Sequence, residues 1–147
     1  MRITEFTQSQ LRTKAGIIPY YVLDGVTQFM FMIPSDPAYG GTSPNIAKGG
    51  VEDGENVTEA AIREGEEELG LKRSNFVASP TVGFSEIVSG LDATYKFTVY
   101  TVEVKDPTDF SQYHYETKET LWLTAADFAS SGRSSQRKIV TAIAGKV

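Results

Sequence analysis

The chain contains no cysteine, which excludes disulfide scaffolds, thiolate zinc sites, iron–sulfur clusters and cysteine nucleophiles. It has a single histidine, His114, so no site that needs two imidazoles is available. Long apolar runs are missing too. The longest, Phe29 to Ile33, stops at Pro34, far short of the ~20 residues of a membrane span. The N-terminal segment MRITEFTQSQ is too polar for a secretory signal, so a cytoplasmic location without a membrane partner is the expectation. A basic excess is also lacking: the net charge is −5 and the bases are dispersed. That offers no footprint for DNA or long RNA. What is present is ordinary, 147 residues that are 40% apolar and 22% charged, the size and composition of one domain with its own core.

The charge is unevenly distributed. Between Glu52 and Glu68 eight acids face one base, Arg63, a local charge of −7, whereas the rest of the chain carries 13 bases against 11 acids. Around this segment the pattern alternates between strand and helix signals. Lys14 to Leu23 and Val26 to Ile33 are rich in β-branched and aromatic residues, and Asp24-Gly25 between them signals a tight hairpin. Pro34 to Asn45 is a proline- and glycine-rich loop long enough to be functional. Strands are expected over Phe76 to Val88, Ala93 to Val104 and Thr120 to Thr124, with a second long loop from Lys105 to Lys118. A short helix is expected from Ala125 to Ser130. Ile139, Val140, Ile143 and Ala144 recur at helical spacing, which predicts an amphipathic C-terminal helix over Ser134 to Lys146. Strands mixed with helices point to an α/β domain built on a mixed sheet.

Local signals place a further helix inside the acidic segment. Asn56 is a good N-cap, Glu59 completes a capping-box pattern three residues later, and Gly70 is positioned as the C-cap. On that helix Glu64, Glu67 and Glu68 fall within roughly 100° of arc, shared with Val57, Ala60 and Ala61. Like charges at such spacing repel. Glu59 and Glu66 point away and read as solvated, but the other three occupy the stripe that normally packs. A divalent cation would turn their repulsion into ligation, and magnesium takes one or two carboxylates together with waters and substrate phosphates. A calcium-hand loop does not fit. Counted from Asp53, its fifth and sixth positions would be Val57 and Thr58.

Gly49, Glu55, Arg63-Glu64, Glu67-Glu68 and Gly70-Leu71 together match the Nudix box, G-x5-E-x7-R-E-U-x-E-E-x-G-U with U a bulky aliphatic, over 23 residues. On this motif the chain resembles the Nudix hydrolase superfamily. One position departs from the pattern, Gly65 at the first U, where a helix-interior glycine costs about 1 kcal/mol and suggests a close approach of the sheet. The resemblance implies a single Nudix hydrolase domain over residues 1–147, folded as an α/β/α sandwich with a mixed central sheet and a catalytic loop–helix–loop. It further implies Mg²⁺ or Mn²⁺ as cofactor. Glu67 and Glu68 would be the main ligands, Glu64 a further ligand or the general base, and the Gly49 carbonyl would complete the set. Glu55 and Arg63 would form a structural ion pair.

Two further features are similar to the asymmetric diadenosine tetraphosphate hydrolases within that superfamily. Glu116 precedes Trp122 by six residues, as a late catalytic glutamate precedes a strand tryptophan there, with Glu119 as a second candidate. Ala47-Lys48-Gly49-Gly50 opens the box with a lysine that would contact phosphate. Tyr39 and Tyr115 are candidates to stack on a base, with Tyr113 and His114 in the same late loop, whereas Trp122 reads as core. The implied reaction is hydrolysis of a phosphoanhydride bond in a nucleoside diphosphate linked to another moiety, a dinucleoside polyphosphate or an ADP-ribose-like compound. Oxidised nucleoside triphosphates and RNA 5′ ends rank next as substrates. A nucleotide-sensing domain without turnover is the non-enzymatic alternative, and a homodimer is compatible with all of these. The related isopentenyl diphosphate isomerases are disfavoured because their chemistry uses a cysteine.

Overall fold

A computed structural model describes residues 12–89, 94–112 and 116–147. Its centre is β1 (Arg12–Leu23), a twelve-residue strand whose side chains alternate between two cores. Asp24 and Gly25 both take positive φ, 51° and 79°. That is the signature of the two-residue turn whose twist suits a hairpin, and it returns the chain as β2 (Val26–Pro34), antiparallel to β1 from Tyr20 to Leu23. After the Pro34–Asn45 loop, β3 (Ala47–Gly50) pairs antiparallel with β1 at Lys14 to Ile17. One edge of β1 is thus divided between β2 and β3. The other edge pairs in parallel with β5 (Thr94–Glu103), which in turn holds β4 (Thr81–Ser89), and β6 (Thr117–Leu123) lies outside β2. The strand order is β4-β5-β1-β2-β6 with β3 to the side of that path.

Helix α1 (Val57–Leu69) covers one face of this mixed sheet, and α2 (Ala125–Ser131) and α3 (Arg137–Ala144) cover the other. Against α1 the sheet presents Ala15, Ile17, Met30, Met32, Tyr100 and Val102. Against α2 and α3 it presents Ile18, Phe29, Phe31, Phe97 and Val99, packed on Phe128, Ile139, Val140 and Ile143. The expected α/β/α sandwich is therefore the fold observed. Among the described residues no helix is long and apolar enough to cross a membrane.

The box opening Ala47–Gly50 is a strand, because β1 supplies hydrogen-bonding partners that two glycines and a lysine do not signal. Three expected boundaries shift. The strand expected from Phe76 begins at Thr81; Phe76 makes only an isolated bridge to Val104, and Pro80, which has no N–H to donate, precedes the regular ladder. The strand expected from Thr120 starts earlier, at Thr117, drawn on by pairing with β2. The C-terminal α-helix starts at Arg137, after a 3₁₀ turn over Ser134–Gln136. Trp122 is half-buried, set edge-on to Tyr21 and Phe110, with its indole N–H donating to the Pro107 carbonyl.

Candidate active site

The box folds as strand, loop and helix: β3, residues 51–56, then α1. The caps form as expected. The Asn56 side chain accepts from the backbone N–H of Thr58 at 2.8 Å and of Glu59 at 3.4 Å, and Gly70 closes the helix in the left-handed region at φ 73°. The capping box is only half made, because the Glu59 carboxylate pairs with Arg73. The buried face comprises Ala60, Ala61, Ile62, Glu64, Gly65 and Leu69. It is centred nearer Gly65 than the glutamate arc suggested, and Glu67 lies at its exposed margin. A methyl group at position 65 would approach Ile17 and Leu71 side-chain carbons to 2.8 Å. The departure from the family pattern is therefore where the helix sits down on β1.

Arg63 organises the loop. Its Nε and Nη2 donate to the two oxygens of Glu55 at 2.9 and 3.0 Å, a bidentate pair, and Nη2 also reaches the Gly50 carbonyl at 3.0 Å. Nη1 donates to Glu64 Oε1 at 2.9 Å and lies 3.5 Å from Glu67 Oε1. The guanidinium hydrogen bonds, helped by the Glu52 backbone N–H, hold the Glu55 carboxyl at about 2, well below its ordinary range. One cation thus ties three box carboxylates and the end of β3 into a fixed unit.

Glu64 is buried, and its carboxylate lies against the backbone of Gly49 so closely that any side chain at position 49 would collide with all of its carboxylate atoms. Glu68 lies beside the Glu64 carboxyl and the Lys48 backbone. Burial first, then the hydrogen bond and repulsion from Glu64, push the Glu68 carboxyl far above the usual carboxylate range. Among the described residues no three acids or imidazoles converge into a ready cage. The Glu64 and Glu68 oxygens are donors of the kind a hard cation takes when waters and phosphate oxygens complete its shell.

Beside this pair opens a cavity of about 350 Å³, walled by Lys48, Glu68, Glu116, Tyr39, Met32, Pro34, Asp36 and Asn45. Four candidates separated by up to 77 positions in the sequence, Tyr39, Lys48, Glu68 and Glu116, are thereby brought together. Burial, followed by repulsion from Arg133, lowers the Lys48 ammonium to about 8. Glu116 holds a positive φ of 58°, uncommon for a residue with a side chain, and its carbonyl accepts from Ser35 N–H at 2.9 Å. That bond joins the two long loops across the rim. Tyr39 is 80% exposed. Glu64 and Glu67 do not line the cavity; Glu64 lies next to Glu68, and Glu67 lies beside Arg63. Glu119 is exposed on β6, paired with Ile33. Tyr115, with Tyr113 and His114, lies outside the described residues. Asn45, almost fully buried in the cavity wall, escaped the sequence reading, since an asparagine after a proline signals only a turn. A second cavity, about 210 Å³ beside Trp122 and Leu69, has no charged side chain in its walls.

The α/β/α sandwich thus presents Glu68 and Lys48, from a strand–loop–helix, in the wall of an open cavity. The family model described as NUDIX domain matches residues 20–143, and the chain belongs to that family. Its enzyme class is that of the Nudix pyrophosphohydrolases, which generally use divalent cations. Solved structures that share the fold include a C. elegans Ap4A hydrolase in a binary complex, 19% identical, covering 92% of this chain and 97% of that one with a TM-score of 0.75. They also include RenU, a Nudix hydrolase from M. smegmatis, at 15% identity, 92% and 87% coverage and TM-score 0.69. The NUDIX domain of Shewanella oneidensis NrtR, complexed with ADP ribose, matches at 9% identity, 96% and 92% coverage and TM-score 0.65. The curated proteins contain no match to the chain.

Proposed function

We propose that the chain hydrolyses a phosphoanhydride bond in a nucleoside diphosphate linked to a second moiety, with Mg²⁺ or Mn²⁺ as cofactor. The observation that carries this reading is the meeting of Glu68, Lys48 and Glu116 in the wall of one cavity large enough for part of a nucleotide, with buried Glu64 behind Glu68. Glu67, Glu68 and Glu64, with the Gly49 carbonyl, would hold the cation. When bound, such an ion lowers the pKa of the attacking water and neutralises charge on the phosphate oxygens.

The remaining work falls to the chain itself. Lys48 donates to a phosphate oxygen from a half-buried position where its charge is poorly screened. Glu116 or Glu64 accepts the proton of the water as its oxygen attacks phosphorus and the anhydride P–O bond breaks. A positioned base of this kind contributes about 10²–10⁴-fold. Arg63 and Glu55 touch no reacting atom; they hold the glutamates in place. Tyr39 and Tyr115, from the two long loops, are the candidates to stack on a base.

Dinucleoside polyphosphates and ADP-ribose-like compounds are the favoured substrates, supported by the two box-flanking features Lys48 and Glu116 and by their meeting in one cavity. Among the solved structures of this fold are one named for Ap4A hydrolysis and one complexed with ADP ribose, so both compounds belong in the test. Incubation with Mg²⁺ or Mn²⁺ and a panel of nucleoside diphosphate derivatives in ¹⁸O water, read by mass, identifies the bond cleaved and the phosphorus attacked. Glu67→Gln should lose nearly all turnover while its melting curve stays intact. Full turnover by that variant removes the metal assignment, and binding without turnover by the unmutated chain favours the sensor.

A further inference from the structure

The loop that walls the cavity, Pro34 to Asn45, is held by a segment far away in sequence. Asn45 is clamped to β2 by a pair of backbone hydrogen bonds with Met32, at 3.0 and 2.7 Å. Its side chain is 2% exposed and turns back under the loop, Nδ2 donating to the carbonyls of Gly40 at 2.9 Å and Ser43 at 2.8 Å. Both amide donors are thereby used, and the amide oxygen accepts from Arg133 Nη1 at 3.0 Å. Two neighbouring bonds continue the contact. Arg133 N–H donates to the Pro44 carbonyl at 2.9 Å, and Ile46 N–H donates to Oε1 of buried Gln136 at 2.8 Å. Three successive residues at the end of the loop are therefore bonded to the turn between α2 and α3, across 88 to 90 positions of sequence.

Arg133 is the unusual member. Among the described residues it has no carboxylate within ion-pair distance; its guanidinium is spent on a neutral amide behind the cavity wall. Its charge is also felt at Lys48, as are those of Glu68 and Glu64.

We propose that Arg133 is a positioning residue for substrate: through Asn45 it fixes the Pro34–Asn45 loop over the phosphate-binding cavity, and so sets affinity without taking part in bond cleavage. The inference rests on the hydrolase reading above. Arg133 itself is absent from the cavity walls, which separates it from Lys48 and from the glutamates.

The full-length protein carries the test, with Arg133→Gln, Arg133→Lys and, as a charge control, Lys138→Gln on the exposed side of α3. With the substrate that emerges from the panel, Arg133→Gln should raise KM about tenfold, the size of one lost charge-assisted hydrogen bond, and leave kcat within about twofold. Arg133→Lys keeps the charge and the backbone bond to Pro44 but not the Nη1 donor placed on the Asn45 amide, so its KM should fall between the two. Lys138→Gln should match the unmutated protein. The second measurement needs no turnover. Amide hydrogen exchange at Tyr39 and Gly41, whose N–H groups bond within the loop to Asp36 and Pro37, should quicken in Arg133→Gln and not in Lys138→Gln.

An unchanged KM in folded Arg133→Gln, a loss confined to kcat, an equal rise in Lys138→Gln, or unchanged loop exchange each overturns the proposal. Should Arg133→Gln fail to fold, Arg133→Lys is read by the same two measurements. If the unmutated chain hydrolyses nothing in the panel, the hydrolase reading fails and the exchange measurement alone decides whether the loop is held by Arg133.

Discussion

The two faces of the central sheet are built on opposite principles. Against α2 and α3 lie large apolar side chains, among them Phe31 stacked on Phe128 with ring centroids 4.2 Å apart, and among the described residues no charged side chain is buried there. On the other face α1 contributes alanines, one glycine and the buried Glu64, and its last turn carries Glu68, whose carboxyl is raised by burial. One face gains stability from area removed from water. The other gives up part of that gain to keep charges half-buried, where they act strongly on a ligand. Stability and chemistry are thus separated by the thickness of one sheet, and substitutions should separate them in the same way.

The widest separation is expected at Glu68. Glu68→Gln keeps the shape and most hydrogen bonds of a carboxyl that already favours its protonated form, so the melting temperature without added metal should be equal or higher. Turnover should fall by roughly 10³-fold, several kcal/mol of transition-state stabilisation. Phe128→Ala on the other face should do the reverse. Chemical denaturation should show a loss of about 3–5 kcal/mol, with kcat per folded molecule unchanged. Gly65→Leu restores the bulky residue of the family pattern but meets Ile17 and Leu71; overpacking of about 1–3 kcal/mol should outweigh the gain in helix propensity. The smallest effect concerns Glu55. Its carboxyl is held near 2 in the folded chain against an ordinary 4.5. Its contribution is therefore complete above pH 4.5 and is lost as pH falls from there towards 2. Glu55→Gln should flatten the acid limb of the stability profile in that window and lower turnover by loosening Arg63.

What could be read from the sequence was local. The Asp24-Gly25 hairpin, the Asn56 and Gly70 caps and the ion pair of Glu55 with Arg63 depend on residues a few positions apart, and each is found where expected. The glutamate arc was read correctly as non-solvated at Glu64, but helical spacing alone could not place the centre of the buried face. That centre is fixed by Ile17 of β1 pressing on Gly65. Pairings between distant segments carried no signal. β3 exists because Lys14 to Ile17 offer an open edge. Likewise, the meeting of Tyr39, Lys48, Glu68 and Glu116 depends on how two long loops cross, and nothing in either loop announces the bond from Ser35 to Glu116.

The divided edge of β1 has a consequence for how such a protein can change. Between the end of β2 at Pro34 and the bridge at Asn45 the chain is free of the ladder, and Ser35, Asp36 and Tyr39 of this stretch wall the cavity. Doubling the length of such an excursion costs only about 0.6 kcal/mol in closure entropy. Residues between Pro34 and Pro44 are thus open to insertion and replacement while the glutamates of α1 stay where they are. New leaving groups can be accommodated by rewriting this stretch alone, provided the anchor at Asn45 is kept.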